Sequence, residues 1–339
     1  FCLPFVVHGQ GSDVMWSCVG LPSPCLGWTW FLLICAPLCA DHPVTYHYDR
    51  QLPAEPYPLL LKRFPCEQLM QQFLQPEKPP PFPPRNIPPN LYANYTMGGK
   101  VPVHGWYIKE NQQKQGRSKY RHMYWMPSAC NRAPVLEPSD PTRSCPIQPV
   151  QYRNVGCNLL MFLHSHKAEI RGKHVLVVGS QTPWIECELL RYAAQVTTVE
   201  YGPIFSHLPD HRAVQWPAVA RQFLEGQCQP LFDVVVSFSS VEHSGLGRYG
   251  DPLNPFGDLE GMAQAWCLLK PQGLAFLGVP TGGTDYVVWN THRIYGPQRL
   301  PHLTANFDVV RSTSDVVGEH VWNGTDNFRN QPVQLLRRR

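Results

Sequence analysis

"HVLVVGSQTPWIECELLRYAAQVTTVEYG" (residues 174–202) holds one complete strand–helix–strand unit. "HVLVVGS" (174–180) is a short aliphatic run closed by a glycine, the pattern of a strand buried on both faces. "TPWIECELLRYAA" (182–194) has apolar residues at helical spacing, with Thr182 placed as cap and Pro183 at the first helical position. "QVTTVEYG" (195–202) is a second strand. Two strands joined through a helix run parallel, and a parallel pair needs both faces covered.

Working outward, the alternation continues. "YRNVGCNLLMFLHSHKAEI" precedes the unit with helical spacing. A weak strand is expected near 212–216 and a helix near 217–225. "LFDVVVSFSS" (231–240) is the fourth strand, "DLEGMAQAWCLLK" (258–270) an amphipathic helix and "GLAFLGVP" (273–280) the fifth strand. "FDVVRST" (307–313) and "QPVQLLRR" (331–338) follow a short helix-like segment and suit a terminal hairpin on the sheet edge. The expectation is an α/β, Rossmann-like domain over 151–339, with a mostly parallel open sheet and helices on both faces.

The first 150 residues differ. The chain has 36 prolines, about twice the usual share, concentrated there. "PEKPPPFPPRNIPP" (76–89) suits polyproline geometry, "CEQLMQQFLQ" (66–75) one short helix, and "YTMGGKVPVHGWYI" a turn and a strand. Residues 41–150 are read as a proline-rich, irregular region wrapping the main domain. Residues 14–40 carry no charge, and "WTWFLLICAPLCA" (28–40) has the length of a signal-peptide core. Residues 1–40 are therefore expected to be a signal or membrane-anchor segment, which favours a secretory-pathway or anchored location over a cytoplasmic one. N-x-T sequons at Asn94 and Asn323 are compatible with it.

Net charge is +4 with scattered basic residues, which argues against a nucleic-acid surface. Twelve cysteines occur without a C-x-x-C. Cys187 and Cys267 fall in expected helices as small core residues. Cys66, Cys130, Cys145 and Cys157 lie in or near the irregular region, where they can pair in an oxidising compartment.

Ligands of an open parallel sheet sit beyond the carboxyl ends of its strands, where the strand order reverses. Three loops should meet there. The first is "GSQTPWIE" (179–186), where Gly179 permits close backbone approach and Trp184 is read as packing. The second is "VEY", where Glu200 stands about 20 residues beyond the glycine turn, the spacing of an acid that accepts ribose hydroxyls. The third is "SFSSVEHSGLGRYGDPLNP" (237–255). Its G-L-G-R-Y-G matches the spacing of a dinucleotide fingerprint, but the prolines of D-P-L-N-P do not start the helix such a fingerprint needs.

"VLVVGSQTPWIECELL", "TTVEY", "FDVVVSFSSVEHSGLGRYGDPLNPFGDLEGMAQAWCLLKPQGLAFLGVP" and "WNTHRIYGPQRL" together resemble domain-of-unknown-function family 268, over roughly residues 150–310. That family in turn resembles the class I S-adenosylmethionine-dependent methyltransferase fold. The resemblance implies S-adenosylmethionine as cofactor, with Gly179, Ser180, Gln181, Thr182, Glu200 and Tyr201 as its binding residues. The chain departs from the usual G-x-G-x-G by keeping one glycine, so side chains replace amide contacts or another nucleotide-like ligand binds.

In that fold the loop after the fourth strand carries catalytic and substrate-contacting groups. His243 can take a proton from a substrate hydroxyl near neutral pH. Glu242 or Asp251 can orient it. Arg248, with Tyr249, can meet a carboxylate or phosphate on the substrate. His292 and Arg293 form a second polar cluster facing the same pocket. Asp251, Asp258, His243 and His292 match no metal motif in spacing, so no metal site is assigned. The leading expectation is methyl transfer to an oxygen of a small molecule or sugar. The alternatives are a non-catalytic binding module that lost the cofactor glycines, and a metal-assisted or nucleotide-sugar enzyme.

Overall fold

The alternation of apolar residues along each strand settles which side of the sheet each one faces. Val175 and Val177 pack with Val234, Val236, Phe276, Leu159, Leu163 and Leu189 on one face. Leu176 and Val178 pack with Val235, Leu277, Val219, Phe223 and Leu268 on the other. Neighbouring residues of a strand point to opposite faces, and both faces are covered, so the strands read as unbroken apolar runs.

A computed structural model describes residues 66–74, 83–105, 123–131, 152–226, 229–249, 251–313 and 331–339. Before the main sheet come α1 (Cys66–Gln71) with a 3-10 turn Gln72–Leu74, α2 (Pro89–Tyr95), β1 (Val103–His104), β2 (Met123–Trp125) and α3 (Pro127–Asn131). Then follow α4 (Arg153–Ser165), α5 (Lys167–Ile170), β3 (His174–Val178), α6 (Trp184–Arg191), β4 (Gln195–Glu200), β5 (Ile204–Ser206), β6 (His211–Gln215) and α7 (Trp216–Glu225). The rest comprises β7 (Phe232–Phe238), a 3-10 turn Val241–His243, α8 (Gly257–Leu268), β8 (Leu269–Gly278), β9 (Tyr286–Val288), β10 (His292–Ile294), α9 (Leu300–Leu303), β11 (Phe307–Ser312) and β12 (Val333–Arg338).

The seven-stranded sheet has the order β11-β12-β8-β7-β3-β4-β6. β6, β4, β3, β7 and β8 are parallel. β12 is antiparallel to both β8 and β11, so the chain ends in a hairpin on the sheet edge, as its pattern suggested. The chain leaves β3 toward β4 and β6, then returns to β7 on the other flank. The order therefore reverses at β3, and a crevice opens beyond the carboxyl ends of β3, β4 and β7. This is the Rossmann-like arrangement expected from the alternating strands and helices.

Three local expectations are corrected. Helix α6 begins at Trp184 with Pro183 in the cap position, and no side chain caps it. Thr182 instead offers its carbonyl to the Ser180 hydroxyl at 2.9 Å and to the Trp184 amide at 2.8 Å. Helix α8 is not amphipathic: ten of its 12 residues are buried. One flank lies on the sheet and another under α1, which a single-helix pattern cannot anticipate. Cys187 and Cys267 are not free core thiols. They form disulfides with Cys130 and Cys66 respectively.

Those two bridges tie the early segments to opposite faces of the sheet. Cys66–Cys267 joins α1 to α8, with Leu69 and Met70 of α1 buried in the same core. Cys130–Cys187 joins α3 to α6. The early segments also add strands: β1 pairs with β9, and β2 with β5. Cys157 is disulfide-bonded as well. No described helix is long and apolar enough to cross a membrane. The expected anchor at 14–40, Cys145 and the Asn323 sequon lie outside the described residues.

Candidate active site

A cleft of about 110 Å³ lies at the reversal point. Gly179, Ser180, Gln181, Thr182, Glu200 and Tyr201 line it from the β3 and β4 ends, and His243, Tyr249 and Asp251 from the loop after β7. Tyr152, Trp184, Ile185, Phe238, Ser239, Ser240 and Ser244 complete the lining. Sequence reading had assigned Trp184 to packing alone and had not singled out Tyr152, whose ring lies 6.1 Å from that of Trp184. Tyr152 sits at positive φ just before α4, far from any motif.

The turn after β3 is tightly built. Gly179 has φ +75°, and a Cβ there would overlap the Ser240 hydroxyl. The Ser180 amide donates to Glu200 Oε2 at 3.0 Å and the Tyr201 amide to Glu200 Oε1 at 2.8 Å. Burial pushes the Glu200 carboxyl up to about 7, against the pull of those amides, and the Asp251 charge raises it further. Beneath the turn lies Glu186, wholly buried and undetected from the sequence. It accepts from Thr198 Oγ1 at 2.9 Å, its Oε2 lies 3.3 Å from the Ser180 hydroxyl, and burial pushes it up to about 7.

His243 owes its position to the 3-10 turn that follows β7. Its Nδ1 is 2.5 Å from the Thr291 carbonyl. A carbonyl only accepts, so Nδ1 carries the proton and Nε2 keeps its lone pair. Glu242 Oε1 is 3.6 Å from that Nε2. Burial, with the charges of Arg248 and His292, holds the His243 pKa well below its ordinary value. Burial likewise pushes Glu242 up to about 7, against neighbouring hydrogen bonds and the Arg248 charge. Both members of the pair are thus biased toward their neutral forms.

The remaining candidates divide. Asp251 lies in the cleft wall but does not hold His243. Its oxygens accept from the Gly247 amide at 3.0 Å and the Tyr249 amide at 3.2 Å, so it braces the loop. Arg248 packs its guanidinium 5.0 Å from the Tyr249 ring centroid, outside the cleft lining. His292 and Arg293 do not face the cleft, contrary to expectation, because β10 is sealed between β9 and the loop after β7; both are fully buried. Arg293 Nη1 donates to the Ser244 carbonyl at 2.6 Å and the Glu242 carbonyl at 3.3 Å, and Nη2 reaches Asn254 and Pro255 carbonyls. Asp258 faces Arg299, Arg293 and Tyr295. Among the described residues no group of three potential ligands is placed to hold a metal ion.

Gly245 and Gly247 have φ +80° and +73°. A Cβ on Gly245 would collide with the Asn254 carbonyl, so the glycines let the loop fold back on itself beside the cleft.

The strand order and the crevice at its reversal point define a Rossmann-like domain. Residues 172–323 match the model of a family described as "Caenorhabditis protein of unknown function, DUF268". No curated protein matches the chain. Among solved structures, the chain is similar to 1,6-didemethyltoxoflavin-N1-methyltransferase of Burkholderia thailandensis, with bound 1,6-didemethyltoxoflavin and S-adenosylhomocysteine. That likeness has 20% identity and a TM-score of 0.38, covering 53% of this chain and 76% of that one. It is also similar to the N-methyltransferase NodS of Bradyrhizobium japonicum in complex with S-adenosylhomocysteine, at 12% identity and a TM-score of 0.33, covering 62% and 97% of the two chains.

Proposed function

We propose that the cleft binds S-adenosylmethionine and that the protein methylates a hydroxyl of a small molecule or sugar. The observation that carries this reading is the cleft itself. The β3 turn and Glu200 line it from the strand ends, and His243, with a tautomer that leaves Nε2 unprotonated, lines it from the loop after β7. The residues fit the cofactor in part. A carboxylate offers about four acceptor positions, and two of those on Glu200 are used by amides, leaving two for a vicinal diol. Ser240 fills the space over Gly179, so Ser180, Gln181 and Thr182 would hold the amino-acid end through side chains.

When bound, S-adenosylmethionine supplies an electrophilic methyl group. The chain's own part is to hold the acceptor and remove its proton. The His243 Nε2 takes the hydroxyl proton while Nδ1–H stays on the Thr291 carbonyl. Glu242, once ionised, stabilises the imidazolium that results. Tyr249 and Trp184 present aromatic surface to the acceptor and help exclude water.

The test is calorimetric titration with S-adenosylhomocysteine at up to millimolar ligand. Diol hydroxyls donate to the ionised form of Glu200, so binding lowers its pKa and releases a proton. Affinity is expected to strengthen as pH rises from 6 through about 7 and to level off above. The neighbouring acids Glu186 and Asp251 can contribute to that slope, so Glu200→Gln is the control and should flatten it. No heat from folded protein across this range would remove the cofactor reading. The crowding of Gly179 by Ser240 favours the second reading, a non-catalytic binding module. It predicts ligand binding without turnover and no effect of His243→Ala.

We also propose an oxidising, secretory-pathway address, supported by the Cys66–Cys267 and Cys130–Cys187 disulfides. Asn94 of the N-Y-T sequon is exposed at the end of α2. Protein made in a eukaryotic host is expected to shift on glycosidase treatment, and Asn94→Gln to lose the part of the shift due to that site. An unshifted cytosolic product with all cysteines alkylatable would overturn this address.

A further inference from the structure

A second cavity, of about 130 Å³, adjoins the cleft. The two share Gly179, Glu200, Tyr201, Ser240 and Ser244. Small-molecule pockets generally start near ~300 Å³, so a nucleoside cofactor bound in the cleft extends beyond it, and the second cavity is the space that adjoins it. With Glu200 common to both, one ligand can bridge them with its diol at that carboxylate.

The second cavity has a distinct chemistry. Val178 and Val199 line it with Phe73 and Trp216, whose rings are stacked with centroids 5.1 Å apart at 19°. Gln72 and Gln264 supply amides, each both donor and acceptor. A flat heteroaromatic base with ring nitrogens and an exocyclic amine matches that set. An alkyl chain would leave the amides unused.

Two of these groups do not belong to the sheet domain's own helices. Gln72 and Phe73 lie on the 3-10 turn that continues α1, and α1 is bound to α8 through Cys66–Cys267. We propose that this disulfide-anchored segment is a working part of the ligand site, closing the second cavity over the base of a nucleoside ligand, with the disulfide setting the affinity. The proposal rests on the cofactor reading above. It assigns Phe73 and Gln72 to recognition of the base, and it gives the Cys66–Cys267 bridge a role in binding besides stability. The physical reason is preorganisation: a tethered segment loses less freedom when it closes on a ligand.

The experiment is calorimetric titration of the full chain with S-adenosylhomocysteine and, separately, with adenosine. Phe73 is half-buried, so Phe73→Ala should leave the fold intact, as circular dichroism would verify. Base–aromatic stacking is substantial, and Phe73→Ala is expected to weaken both ligands about tenfold or more, with Phe73→Tyr restoring them. The paired Cys66→Ser/Cys267→Ser variant should weaken binding by at least threefold and reduce the further effect of Phe73→Ala, since the two changes act on one element. If the wild-type protein binds S-adenosylhomocysteine and Phe73→Ala binds it within twofold, the segment has no part in the site and the proposal falls while the cofactor reading stands. If the wild type binds neither ligand, the cofactor reading fails and takes this proposal with it.

Discussion

Asp258→Ala is expected to lower the unfolding free energy by about 3–5 kcal/mol, the usual cost of stranding a buried charge. Asp258 is wholly buried at the start of α8. Arg299 grips it with two bonds, Nη2 to Oδ1 at 2.6 Å and Nε to Oδ2 at 2.8 Å. Tyr295 donates to Oδ2 at 2.9 Å, and Arg293 Nε lies 3.7 Å from Oδ1. Burial alone would raise the carboxyl's pKa, but the two guanidinium charges and these hydrogen bonds outweigh it and hold it below its ordinary value. A depressed acid stabilises the fold above its unfolded pKa, and that contribution is lost as pH falls through the folded value. The variant should therefore unfold at lower urea than wild type at neutral pH, with the difference narrowing in acid. Equal midpoints at pH 7 would mean that the two arginines find other partners. Because Arg293 and Arg299 also hold the carbonyls of Ser244 and Pro255, the loop carrying His243 should loosen with them.

His243→Ala is expected to lower turnover by about 10²–10⁴-fold, the range for loss of a general base, while changing S-adenosylhomocysteine affinity less than threefold. Glu200→Ala should do the reverse, weakening ligand binding first. The two residues line one cleft from different loops, Glu200 from the β4 end and His243 from the loop after β7, so the effects should separate in a kcat against Kd comparison. The pH profile supplies an independent readout. Since burial holds the His243 imidazole in its neutral form, the acid limb of kcat should follow Glu242, whose carboxyl burial pushes up to about 7. Glu242→Gln should remove that limb. Unchanged turnover in His243→Ala, with a candidate acceptor in hand, would return the loop to a purely structural role.

The loop after β7 separates the candidates that line the cleft from those that do not. His243, Glu200 and the Gly179 turn could be proposed because strand ends are legible from apolar runs, and a parallel sheet sends those ends to one edge. His292 and Arg293 stand in an equally polar stretch, "WNTHRIYG". Nothing local distinguishes a polar strand buried behind a loop from a polar loop facing a cavity. The distinction comes from the carbonyls of residues 242–255 that Arg293 meets, about forty to fifty positions earlier in the chain.

Local pattern by itself pointed to the layered α/β domain, to strands near β3, β4, β6, β7 and β8, and to a hairpin of the last two segments, while the order of the strands, with its reversal at β3, came from pairing in the packed sheet. The strands and helices depend on side-chain periodicity within a few residues, and parallel strands need both faces covered. The tertiary structure alone decided the rest. It paired Cys66 with Cys267 and Cys130 with Cys187 across 201 and 57 positions, buried α8 on nearly every side, put Ser240 over Gly179, and brought Phe73 to the rim of the second cavity. Such contacts join residues far apart in sequence, and their strength depends on burial, which only the packed chain creates.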